Sequence, residues 1–314
     1  MQALEHWNAR LAALLLAGLL SACGGGGGPD DGVQPTNPQT PVPQPGAPTA
    51  TGDTATDGFA WFNYRRAQTG LSVLARNGAI DRAALGHSNY LRLNDTVSHD
   101  QVRGNPGYTG AKLEDRFAAA GYVLVGTRAY GEVISAAADR AGFYHAEELI
   151  AAIYHRFVIF EPLFREMGTG ASSTASGYTY FTADFAASNG YGPGVGRGNV
   201  VVYPVNGQTA VPVNFMSDSE SPDPVPDRNE VGYPISVHAD NPSTIIVNSF
   251  TVRPRGGMDL PVRLLTKATD AETPKAAASI IPLTKLAGAT VYDVSFSGTV
   301  DGTAIARNWS FTTR

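Results

Sequence analysis

Apolar residues recur at helical spacing in the first half of the chain and in short alternating runs in the second. Asp57 is placed to cap a helix whose apolar stripe carries Phe59, Phe62 and Ala67. Ile80, Ala83, Ala84, His87 and Leu91 predict a second helix over 79–93. A third is expected over 112–120, stopped by Gly121, and a fourth from Ala146 through His155. Strands are expected over 132–135 and 167–170, and most clearly over 178–185, where aromatic residues alternate with threonine and alanine. Helices first and strands last predict an α+β layered domain over residues 58–188. After a Gly/Pro-rich stretch over 188–199, read as a hinge, seven β-prone runs follow: 200–203, 211–215, 235–238, 244–252, 261–265, 290–298 and 306–313. Pro, Gly, Asn or Asp bounds each run, which predicts an all-β Greek-key sandwich over 199–314. Asp301-Gly302 supplies a hairpin turn between the last two runs.

The N-terminus has a separate logic. Arg10, the apolar run 11–20 and then small residues form the charge, apolar and cleavage pattern of a secretory signal over residues 1–22. The apolar core, about ten residues long, is too short to cross a ~30 Å hydrocarbon layer as a resident helix. Leu20-Ser21-Ala22-Cys23 resembles the bacterial lipobox, in which the cysteine thiol is acylated. Cys23 is the single cysteine, so no intrachain disulfide is possible. More than one acyl chain anchors a protein stably where one does not. The resemblance therefore implies a lipoprotein of the bacterial cell envelope, with the membrane as partner through Cys23. Gly24, neither acidic nor basic, is compatible with the outer membrane. Residues 23–57 are rich in Gly, Pro and Thr and have little to bury, so they read as a disordered leash. Such a leash holds the body roughly 30 Å from the bilayer as a coil, or up to ~100 Å if extended.

The chain has 314 residues, 43% of them hydrophobic, with a net charge of −5 and no basic cluster. That balance excludes nucleic acid as an expected partner. There is no Gly-x-Ser-x-Gly elbow for a serine hydrolase, and the one thiol is expected to be acylated.

Several motifs resemble the CAP superfamily (cysteine-rich secretory proteins, antigen 5, pathogenesis-related proteins) in its bacterial, disulfide-free form. Asn63-x-x-Arg66, Gly70-Leu71-x-x-Leu74 and Ala84-x-x-His87 resemble its opening helices. Ser98-His99 is similar to its first site histidine, and Arg116 with Ala120-Gly121-Tyr122 to the helix end before its site strand. Gly131-Glu132-Val133-Ile134 resembles its Gly-Glu-Asn-Ile stretch. The most specific run is His155-Arg156-x-x-Ile159-x-x-Pro162-x-Phe164-x-x-Met167-Gly168-x-Gly170. The resemblance implies an α-β-α sandwich. Val133 departs from the family asparagine, and Leu149 and Ala152 stand where bacterial members often have tryptophan and serine. The ending Trp309-Ser310-Phe311-Thr312-Thr313 resembles a bacterial Ig-like module, with Trp309 expected in its core.

The resemblance further implies that His99, Glu132 and His155 converge in one cleft. Two imidazoles and one carboxylate suit a divalent metal such as zinc with an open fourth position, or they can simply hydrogen-bond one another. Glu148 lies two helical turns before His155, which makes it a candidate acceptor for that imidazole. His87 and His145 are read as structural. The leading expectation is a non-enzymatic cleft that binds a ligand (a sterol or other lipid, or a peptide) or a divalent metal. The alternatives are a metal-dependent hydrolase using the same three residues, and an adhesion or envelope-scaffold protein.

Overall fold

The computed structural model describes residues 44–314. The expected signal peptide, Cys23 and the leash as far as residue 43 lie outside the described residues.

Helix α1 (Thr54–Thr69) starts earlier than the sequence suggested. Asp53 is its cap, accepting from the Thr56 N–H at 2.7 Å. Asp57 is buried inside the first turn and accepts from the Thr51 N–H (2.8 Å), the Thr51 hydroxyl (2.7 Å) and the Gly52 N–H (3.0 Å). The leash therefore does not extend to residue 57. Gln44 Nε2 already donates to Thr209 O at 3.0 Å, which ties the start of the described chain to its second half.

Strand β1 (Ala75–Arg76) precedes α2 (Gly78–Asn94), capped by Asn77. Then come α3 (Leu113–Ala119), β2 (Ala129–Ala137), α4 (Gly142–Ala151), α5 (Ile153–Ile159), β3 (Glu166–Ser173) and β4 (Thr179–Ala187). The strands form one sheet in the order β1-β3-β4-β2. β4 pairs antiparallel with both β2 and β3, and β1 runs parallel to β3. Side chains alternate across a sheet, and the burial follows that alternation. Ile134 and Tyr180 meet Tyr90 and Leu91 of α2 on one face. Val133, Phe181 and Phe185 join Phe62, Ile150 and Ile153 on the other. Gly170 is required where α2 crosses β3, since a Cβ there would collide with the Leu85 backbone.

The expected single helix from Ala146 to His155 is two helices. Ala152 has extended backbone angles (φ −68°, ψ 119°) and breaks the run between α4 and α5. No proline or glycine marks this break in the sequence.

The second half is all-β. It comprises β5 (Val201–Tyr203), β6 (Gln208–Val211), β7 (Asn214–Met216), β8 (Glu230–Gly232), β9 (Ile235–His238), β10 (Ile245–Pro254), β11 (Val262–Leu265), β12 (Ala277–Pro282), β13 (Val291–Val300) and β14 (Thr303–Thr313). Two four-stranded sheets, β10-β13-β14-β6 and β11-β12-β9-β5, accompany a small β7-β8 pair. The two larger sheets share one apolar core, with Phe250, Phe296 and Trp309 from one and Val237, Leu265 and Ile280 from the other. Asp301 (φ 51°) and Gly302 (φ 80°) form the predicted hairpin turn. The α+β class and the all-β second half agree with the sequence reading. Strand β12 was missed, because its six residues are buried throughout and do not alternate.

The stretch 188–199 does not behave as a free hinge. Asn189 N–H donates to Val125 O (2.9 Å) and Gly192 N–H to Leu163 O (2.8 Å). The Asp240 carboxylate receives the N–H groups of Val195 (2.7 Å) and Gly196 (3.1 Å). Phe160 packs 4.9 Å from the Tyr203 ring and 5.6 Å from His238, so one apolar core runs through both halves.

Candidate binding site

Helix α2 presents His87 toward the loop that follows it, and this loop carries His99. Gln101 organises the two. Its amide Nε2 lies 2.9 Å from His87 Nδ1, and its Oε1 accepts from the Thr109 N–H at 2.7 Å. An amide donor at Nδ1 places the His87 proton on Nε2, which donates to Ser98 O at 2.8 Å. Burial pushes the His87 imidazole down to about 4, so it is neutral at ordinary pH.

Glu132, on β2, is the hub. Its Oε1 lies 2.9 Å from His99 Nδ1, and its Oε2 accepts from Arg116 Nη2 at 2.6 Å. Arg116, on α3, also donates Nη1 to His99 O at 2.8 Å, and so grips both ends of the pair. Burial, the largest single influence, pushes the Glu132 carboxyl up, but the Arg116 guanidinium, His87 and the His99 hydrogen bond together outweigh it and hold the carboxyl well below the usual range. An ionised Glu132 can only accept, so His99 Nδ1–H donates to it and Nε2 is the ring nitrogen left outside the pair. The His99 side chain is 34% exposed, whereas Arg116, Glu132 and His87 are buried. His99 is thus the polar tip of an otherwise closed network.

Asp184 stands directly opposite Glu132 in the β2–β4 register and is fully buried. Neither of its carboxyl oxygens has a hydrogen-bond partner among the described residues. Burial first, and then the Glu132 charge, raise its pKa well above the ordinary aspartate value, which favours the protonated carboxyl. Sequence reading missed Gln101 and Asp184. Asp184 was legible only as one position of an aromatic strand, because its partner lies more than fifty residues away.

Of the three residues expected to converge, the structure pairs only His99 and Glu132. Glu132 faces the α2 layer, whereas α5, which carries His155, covers the opposite face: Val158 Cγ1 lies 2.8 Å from where a Cβ on Gly131 would stand. His155 Nδ1 lies 2.9 Å from Glu220 Oε1. The same carboxylate accepts the N–H groups of Ile153 (2.7 Å), Tyr154 (2.7 Å) and His155 (3.1 Å). Glu220 therefore caps α5 from the second half of the chain, a role no local sequence signal announces. Among the described residues no three His, Cys, Asp or Glu side chains are grouped to hold a metal ion. The expected set of His99, Glu132 and His155 does not form as a three-donor site.

Glu148 does not reach His155 either. The helix break at Ala152 rotates the two apart, and Glu148 accepts instead from Tyr144 OH (2.7 Å) and, at 3.4 Å, from Ser135 Oγ. Ser135 Oγ also meets His145 Nδ1 at 2.8 Å, while His145 Nε2 donates to Asp139 O at 3.1 Å. His145 is fully buried and stacks on Phe181, in keeping with a structural role.

Residues 59–185 match the family described as CAP, the cysteine-rich secretory protein family. No curated protein matches the chain. One similar solved structure is an extracellular protein containing a SCP domain from Bacillus anthracis str. Ames (23% identity, TM-score 0.36). That match covers 42% of this chain and only 39% of the Bacillus one. A second is an outer surface protein from Borrelia burgdorferi (12% identity, TM-score 0.35), covering 42% of this chain and 90% of the other. The family match spans the helices, the site loop and the sheet just described, so residues 59–185 of this chain are a CAP domain.

Proposed function

We propose that the chain is a non-enzymatic binding protein of the bacterial envelope, held there by an acylated Cys23, with a ligand site at His99. The observation that carries this reading is the pinned imidazole. His99 Nδ1–H donates to Glu132 at 2.9 Å and Glu132 is itself fixed by Arg116 at 2.6 Å, which leaves Nε2 of the partly exposed ring as an acceptor. Such an acceptor suits a ligand with one hydroxyl group. Val97 and Val102, both exposed on the same loop, offer apolar contact, which suits a small hydrophobic ligand such as a sterol.

The test is a titration of the chain lacking residues 1–23 with cholesterol, and separately with its 3-methyl ether, read by the nitrogen resonances of the histidines. Cholesterol is expected to move His99 Nε2, the ether to move it several-fold less, and His99→Ala to abolish the response. Equal responses to the two, or none, would remove the reading. The metal-dependent hydrolase reading, with zinc on His99, Glu132 and His155, requires His155 to leave Glu220. Metal content beside that of a His99→Ala, His155→Ala double variant decides it: equal, near-zero values dismiss it.

A further inference from the structure

On β3 the backbone groups alternate between two sides. Asn77 N–H donates to Met167 O, so within the strand odd-numbered residues turn their N–H and C=O toward β1; Arg165, just before it, gives its C=O to Ala75 N–H and its N–H to Ala186 O of β4. At the other end Thr174 N–H donates to Tyr178 O, so even-numbered residues face β4. The register is unbroken from Glu166 to Ser173, and this alternation holds throughout. β1 covers only Glu166 and Met167 and then turns away as Asn77 caps α2. Asp81 Oδ1 takes the Thr169 N–H at 2.9 Å. Beyond it, the N–H and C=O groups of Ala171 and Ser173 have no neighbouring strand among the described residues.

Beside this open edge lies a cavity of ≈ 390 Å³. Asp53, Thr54 and Ala55 at the start of α1 form one wall, and Asp81, Arg82 and Leu85 of α2 form the other. The floor is the edge itself, from Thr169 to Ser173. This slot lies in line with β1 and is open where β1 stops.

We propose that the slot binds an extended peptide of a partner protein, which adds to the sheet as a further strand and continues the line of β1. Backbone donors and acceptors at strand spacing are matched by another extended backbone and by little else. Side chains of an added strand alternate between the walls. Those on the α2 side meet Leu85, 44% exposed and apolar. Those on the α1 side meet Thr54 and the Asp53 carboxylate, which hydrogen bonding by Thr56 keeps ionised; Arg76, which lines the same slot, is paired with Asp81 at 2.9 Å. The fitting peptide alternates aliphatic with basic residues and has no proline at the pairing positions. This site is independent of His99.

The test uses the full chain and the probe acetyl-Val-Lys-Val-Lys-Val-amide, with amide hydrogen exchange read residue by residue. At millimolar probe the Ala171 and Ser173 amides are expected to exchange at least tenfold more slowly. The same peptide N-methylated at every amide cannot pair and is expected to do nothing. Ala171→Pro removes one edge donor and is expected to abolish the effect. Leu85→Lys, on an exposed wall position that leaves the fold intact, is expected to weaken binding at least fivefold by repelling the probe. No slowing, or equal slowing by the N-methylated peptide, overturns the proposal. So does protection already present without probe: unchanged on dilution it marks the chain's own residues 1–43 in the slot, and lost on dilution it marks a second copy.

Discussion

Glu132 keeps its charge through Arg116 acting together with His87 and His99, and the guanidinium is its closest partner. Glu132→Gln leaves a buried guanidinium without its counter-charge, which costs about 3–5 kcal/mol, to be read as a lower denaturant midpoint. Asp184 behaves oppositely. Because its folded-state pKa is raised, the folded chain holds a proton that the unfolded chain gives up above pH about 4. Its contribution is therefore fully present below that pH and is lost as pH rises toward the folded value. Asp184→Asn imitates the protonated carboxyl, so the variant is expected to lack this decline. Unfolding free energies of the two proteins across pH 4 to 8 test it, and parallel curves would mean that Asp184 is ionised in the fold. The motif residues His99 and Glu132 were legible in the sequence because each sits in a short recognisable run. The raised pKa of Asp184 was not, since it arises only when two carboxyls are set opposite each other with water excluded.

Among the elements, α5 shows how a short helix is held from a distance. Seven residues are too few for a helix to stand alone. Glu220 satisfies three of its first N–H groups and also the His155 ring. Glu220→Ala is expected to cost about 2–3 kcal/mol and to speed amide exchange in α5 before the rest of the CAP domain. If α5 exchanged no faster, the cap would be incidental. The sequence reading ran α4 and α5 together because the apolar spacing does not change across Ala152; the turn there is imposed by packing and by the remote cap. It placed α2 correctly because that helix carries its own start signal in Asn77 and a clear apolar stripe.

Across the whole molecule, the two halves are joined more firmly than a leash-and-modules picture implies. Arg156 is buried at their junction, donating to Pro234 O at 2.6 Å beneath the Tyr203 and Tyr233 rings. Tyr154 OH reaches Asp270 at 3.1 Å. A chain ending at residue 198 would expose Phe157 and Phe160, and take Pro234 and the two tyrosine rings from Arg156 and Glu220 from His155. Such a fragment is expected to lose cooperative unfolding, and the full chain to melt in a single calorimetric transition. Two well-separated transitions would show that the halves are independent. Anchoring belongs to the same level: Cys23→Ser is expected to move the protein from the membrane fraction to the soluble one, with the fold of residues 44–314 unchanged.

Local chemistry was enough to announce the export signal and lipidation cysteine as expectations, the α+β order of elements, the Asp301-Gly302 hairpin and the CAP motifs. Each of these is carried by residues close together in the chain, where spacing and residue type act directly. Tertiary structure decided which acid each histidine meets. Strand pleat put Glu132 and α5 on opposite faces of one sheet, and the second half supplied Glu220 from 65 positions beyond His155. Partner choice among buried charges is a property of the assembled core, where low dielectric and exact geometry select one pairing among several that the chain alone permits.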